Sequence, residues 1–210
     1  PAELRDAERT ASKSQQADDG EFSRKIDSQD EDIGSREVIR NARELVWYPS
    51  EVDTSIRTGW FYHPEEDTDV RTAGELLDIY LDAVGANASL LLNIPPDTHG
   101  RIAAPDCASL AELGAKIRQI FASNVTEKAA ITADSAIAQH PITQAVDGMA
   151  DTYWQAAYGQ ESDTITLKFQ KPQKVSCVVL GEHLPTGQRI ESGEIWADGS
   201  KVSEFTVVGH

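Results

Sequence analysis

Three consecutive leucines inside SLLLNIPPD, residues 89–97, leave few architectures open. A strand with one wet face alternates apolar and polar residues. An unbroken apolar run implies cover on both faces, as for a parallel strand packed between helices. The flanking sequence supplies those helices. Ahead of it, TAGELLDIYLDAVG carries Leu76, Leu77, Ile79, Tyr80, Ala83 and Val84 on one face, with Thr72 and Glu75 spaced for a capping box and Gly85 ending the run. Behind it, Pro105 suits a first helical turn, and Leu110, Leu113, Ile117, Ile120 and Phe121 recur at helical spacing. Helix, buried strand, helix is the alternation of an α/β domain. In a barrel of such units the active site lies at the strands' C-terminal ends, here Asn93 to Asp97.

The composition changes along the chain. Residues 1–33 are charged and polar with almost no apolar periodicity, so they form either a loop of a larger domain or a disordered arm. REVIRNARELVWYP predicts a short helix feeding an extended run that Pro49 closes. Past Asn124, DTITLKFQKPQKVSCVVLGEH and ESGEIWADGSKVSEFTVVGH alternate over short stretches between Gly, Pro and Ser clusters, the pattern of an antiparallel sandwich with too few strands to close. The expected division is therefore 1–124, an α/β unit, and 125–210, a β-sandwich, with the boundary between Ser123 and Lys128. A chain that starts at Pro1 without a methionine is expected to be a piece of a longer protein. Cys107 and Cys177 show no metal or redox spacing and are expected to be buried as small apolar residues.

A formal charge of −16 argues against nucleic acid and anionic membrane surfaces, both of which demand a cationic footprint. No apolar stretch reaches the length of a membrane span, and no signal peptide is visible. A neutral ligand fits better, and WYPSEVDTSIRTGWFYH, residues 47–63, is where aromatic rings gather. On a strand, Glu51 and Asp53 point the same way. Aromatic walls from Trp47, Tyr48 or Trp60 would desolvate the deeper of the two and favour its protonated form, as a general acid requires. The plainer alternative is a solvated acidic turn, or a partner for Arg57. The ring density favours sugar, whose apolar face stacks on indole and phenol.

These same residues, with LLDIYLDAVGANASLLLNIPPDTHGRI, closely resemble the C-terminal part of the catalytic barrel in α-L-fucosidases of glycoside hydrolase family 29, over roughly Asp32 to Leu113. The likeness is to the branch that favours 1,3- and 1,4-linked fucose. AVDGMADTYWQA, ITLKF and PTGQRI more faintly resemble discoidin-like (coagulation-factor-type) sandwich modules. The resemblance implies the later part of a (β/α)8-type barrel followed by an incomplete discoidin-like β-sandwich, from a secreted or periplasmic bacterial enzyme. The activity it implies is retaining hydrolysis of fucosylated oligosaccharides or glycoconjugates through a covalent fucosyl intermediate, with no metal or organic cofactor.

On the same resemblance Glu51 is the acid/base and Trp60 the ring against fucose. Arg57, Tyr62 and His63 either hold the loop or reach the leaving-group sugar. The family's nucleophile aspartate has no match, since none of Asp18, Asp19, Asp27, Asp30 or Asp32 has apolar, strand-like surroundings. The isolated chain is accordingly expected to be inactive. The rival reading is a non-catalytic carbohydrate-binding protein that recognises sugar through the sandwich.

His99 in PPDTHG reads as a surface turn residue. Asn93 either faces the barrel mouth or hydrogen-bonds backbone at the strand end. Asp147 and Asp151 lie in a loop that in discoidin-like modules often binds a structural calcium.

Overall fold

The computed structural model describes residues 35–40 and 49–209. The expected polar segment, most of the run from Arg36 to Pro49, and the rings of Trp47 and Tyr48 lie outside the described residues. Helix α1 (Arg36–Ile39) is the described part of the first expected helix. The chain divides into two compact units, 1–119 and 120–210, so the division falls just ahead of the expected boundary. No helix among the described residues is long and apolar enough to cross a membrane.

In the first unit, β1 (Glu51–Ser55) and β2 (Ser89–Asn93) pair in parallel, with Glu51 opposite Ser89 and Ser55 opposite Asn93. Helix α2 (Ala73–Val84) connects them, and α3 (Ala104–Ile120) follows. The capping box forms as the sequence predicts: the Thr72 hydroxyl accepts from the Glu75 N–H at 3.3 Å, and the Glu75 carboxylate accepts from the Thr72 N–H at 2.8 Å. Gly85 follows α2 because a Cβ there would run into the Leu81 carbonyl, although its backbone is right-handed. The left-handed residue is Asn87, at φ 63°.

Strand alternation puts Val52, Thr54 and Leu90, Leu92 on one sheet face. Beyond the strand ends Ile56 and Ile94 continue it. Leu76 of α2 and Leu113 of α3 pack with Ile56, Ala73, Leu92 and Ile94 in a single cluster. The other face carries Glu51, Asp53 and Leu91, and Leu91 is 52% exposed. The expectation of cover on both faces is thus corrected among the described residues. Helices cover one side, and the other stays open among the described residues except at the strands' C-terminal ends, where Ser55 is buried and Asn93 half-buried. Both cysteines are exposed, contrary to expectation. In the first turn of α3 it is Asp106 that points inward, and Cys107 beside it turns to the surface.

In the second unit, β3 (Ala129–Ala133) pairs antiparallel with β4 (Ile165–Phe169), and β5 (Gly193–Ala197) with β6 (Ser200–Phe205). Asp198 and Gly199 both take positive φ, 50° and 81°, as a two-residue hairpin turn requires. The expected strand through VSCVVLG forms no ladder among the described residues. Cys177 lies in it, with Val178, Val179 and Leu180 also exposed. Side chains tie the intervening loops together. The Asp163 carboxylate accepts from the Asp134 and Ser135 N–H groups, and Tyr153 stacks between His140 and His183 at centroid distances of 3.9 and 4.2 Å. The two strand pairs are separate two-stranded sheets, which is less than a sandwich.

Candidate active site

At the C-terminal ends of β1 and β2 the chain makes a clamp. The Asn93 side chain donates to the Ser55 hydroxyl at 3.0 Å and to the Trp60 carbonyl at 3.1 Å. Ser55 donates in turn to the Gly59 carbonyl at 2.8 Å. Asn93 therefore serves backbone at the strand end, and what it holds is the start of the aromatic loop. Trp60 and Phe61 are left 46% and 76% exposed.

Arg57, two residues past β1, is fully buried. A charge there is tolerable only if it is paired and hydrogen-bonded. Its Nε donates to Asp106 at 3.0 Å, Nη2 to Asp67 at 2.7 Å and Nη1 to the His63 carbonyl at 3.3 Å, while its plane lies 4.7 Å from the centre of the Tyr62 ring. Burial alone would lower the guanidinium's pKa, but the hydrogen bonds and charges of Asp67 and Asp106 outweigh it and hold the pKa above its ordinary value. Of the two roles expected of Arg57, the geometry supports the loop-holding one, because no N–H edge is left facing outward. Tyr62 is half-buried beneath it. Burial first, then the charge of Asp67, raises its phenol pKa against the pull of Arg57, so the hydroxyl stays protonated at neutral pH. His63 contributes its carbonyl, which also accepts from the Glu66 N–H at 3.0 Å, and its side chain is exposed.

Glu51 and Asp53 share a face of β1, as the period-two argument requires, and both are exposed. Glu51, however, opens the strand, whereas Trp60 follows its far end. Four residues of rise separate Glu51 from Ser55 by about 13 Å. Trp60, Tyr62, His63 and Asn93 gather beyond the C-terminal ends of the strands, where a parallel-strand enzyme works.

The turn after β2 is a self-contained knot. Asp97 accepts from the Arg101 N–H at 2.9 Å and the His99 N–H at 2.8 Å, and these bonds hold its pKa below the ordinary carboxylate value. His99 is at the surface, as expected. In the second unit, the Asp147 carboxylate accepts from the Met149 N–H at 2.9 Å and from the Thr152 hydroxyl at 2.9 and 2.7 Å, which depresses its pKa. No group of three or more His, Cys, Asp or Glu side chains among the described residues is arranged for a metal. The Asp147 loop is held by its own hydrogen bonds. Sequence reasoning missed Ser55, Asp67 and Asp106. Asp67 sits within the aromatic loop's own turn, and Pro105-Asp106 reads as an ordinary helix start.

A parallel strand–helix–strand module with a clamped aromatic loop at its strands' C-terminal ends is the arrangement in which α/β barrels place their working end. Comparison with known proteins narrows the class. The family model for α-L-fucosidase matches residues 8–119. α-L-Fucosidase 1 of Arabidopsis thaliana is 34% identical over 151 residues, covering 70% of this chain and 29% of that protein. A Ruminococcus gnavus family 29 fucosidase, solved in complex with fucose, superposes with a TM-score of 0.70 at 27% identity, covering 80% of this chain and 35% of that one. A provisionally assigned α-L-fucosidase of Bacteroides thetaiotaomicron gives a TM-score of 0.70 at 30% identity, covering 79% and 38%. The chain belongs to the α-L-fucosidase family. It spans less than two-fifths of the length of these relatives.

Proposed function

We propose that this chain is part of a retaining α-L-fucosidase that removes terminal fucose, 1,3- or 1,4-linked, from oligosaccharides or glycoconjugates. In this reading β1, β2 and their helices belong to the later part of a (β/α)8-type barrel, and residues 125–210 begin a discoidin-like sandwich. The carrying observation is the family match over residues 8–119, which contains the clamped Trp60 loop. Trp60 offers an exposed indole face of the kind that packs on a 6-deoxy sugar. Fucose bound in the Ruminococcus gnavus relative supports the same substrate class.

Retention requires two carboxyl groups about 5 Å apart. The acid/base role proposed for Glu51 rests on resemblance. The test is hydrolysis by the full-length parent protein of an aryl α-L-fucoside and of 1,3- and 1,4-fucosylated oligosaccharides, with the anomer first released read by NMR. Release of α-fucose supports the reading. β-Fucose would exclude retention, and fucose binding without turnover would favour a non-catalytic carbohydrate-binding protein.

A further inference from the structure

The pair Asp106–Arg57 is an expensive way to fill a core. Both side chains are fully buried, and Asp106 Oδ1 has no hydrogen-bond partner among the described residues. Buried ion pairs recover their desolvation cost only with full hydrogen bonding, and apolar residues of similar volume often serve stability as well. What an apolar pair cannot do is set a direction. A guanidinium is planar and rigid, so fixing its Nε edge fixes its other N–H groups and its face. Here two edges are fixed, Nε on the fully buried Asp106 at 3.0 Å and Nη2 on the partly exposed Asp67 at 2.7 Å. The remaining groups hold the His63 carbonyl and lie over the Tyr62 ring. Asn93 holds the Trp60 carbonyl from the other side. The four-residue stretch Trp60–His63 is thus anchored at both ends, with two large aromatic rings held outward instead of collapsing onto the core.

We infer that Asp106 is a positioning residue for substrate: together with Asp67 it sets Arg57, and through Arg57 it presents Trp60 and Phe61 as a preorganised aromatic platform. The inference rests on the fucosidase reading and deepens it. Preorganisation of this kind lowers the cost of ordering a loop on binding, so its loss falls on KM before kcat.

The experiment uses the full-length parent with Asp106→Asn, Asp106→Ala and Arg57→Lys. Kinetics are measured on a branched fucosylated oligosaccharide, and the 19F signal of fluorotryptophan-labelled protein is followed with Trp60 assigned by Trp60→Phe. Asp106→Ala is expected to raise KM roughly tenfold, about the worth of one charge-assisted hydrogen bond, with kcat little changed. Asp106→Asn, which keeps an acceptor for Nε, should fall between it and the wild type, and the Trp60 signal should shift while the other tryptophan signals stay. A lowered melting temperature with KM and the Trp60 signal unchanged would reduce Asp106 to a purely structural residue. If Asp106→Ala does not fold, Asp106→Asn and Arg57→Lys decide the matter. A wild-type parent inert on every fucoside would sink the functional reading instead, and the 19F shift would still test the positioning.

Discussion

Trp60 and Glu51 stand nine positions apart in the chain, Glu51 at the start of β1 and Trp60 in the loop that follows it, and each is asked for a different contribution. Removing an indole face that packs on fucose costs roughly 1–3 kcal/mol, the scale of one large apolar surface. Trp60→Ala in the full-length protein should therefore weaken a fucose-mimicking inhibitor by that amount, measured as its inhibition constant. Glu51→Gln tests the acid/base proposal. A proton donor's loss falls on fucosides with poor leaving groups far more than on activated aryl fucosides. A selective loss on the poor leaving groups is expected, and equal losses on both would remove Glu51 from the chemistry. Asp97 gives a pH prediction. Its folded pKa lies below the ordinary carboxylate value, so the order it confers is present above that ordinary value and is lost as pH falls through the folded pKa. The His99 and Arg101 amide shifts should move together in an NMR titration at that acidic end and stay constant through neutrality. The aromatic loop was legible because its rings are contiguous. Its partner Asp106 was not, because it lies 49 residues from Arg57 and looks like any helix-start acid.

Helix α2 was legible almost to the residue, because a capping box and a 3.6-residue apolar stripe are local signals that need no neighbour. Thr72→Ala should remove one end of that box and lower stability by about 1 kcal/mol, read as a lower midpoint in urea with an unchanged slope. An unchanged midpoint would mean that packing of Leu76 and Ala73 alone fixes the helix start. The strands were legible only in part. Their alternation predicts which residues share a face, and β1, β2, β4, β5 and β6 appear where the pattern places them. Cover is a property of what lies alongside, so Leu91 could not be read as exposed from its own neighbours. The VSCVVLG run has strand propensity and no ladder for the same reason: pairing requires a second chain segment in register.

A parallel sheet with one bare face is unusual, because such sheets are stable chiefly when covered on both sides. The bare face here carries Leu91 beside Glu51 and Asp53, and half of a leucine side chain contributes only about 1 kcal/mol when it is covered again. The net charge of −16 opposes any self-association, but at physiological ionic strength repulsion is screened beyond about 8 Å. Short-range contact therefore wins only weakly, and only once salt is present. The chain expressed by itself should accordingly sediment as a monomer in low salt and show concentration-dependent association as salt is raised. Leu91→Lys should suppress it, since a lysine on that face adds desolvation cost where the leucine offered apolar area. If association persists in Leu91→Lys and disappears in Val179→Lys, the contact belongs to the exposed run of the second unit, where Val179 is 74% exposed. That result would show that the bare face of the β1–β2 sheet is tolerated in water through its two carboxylates, with no partner surface required.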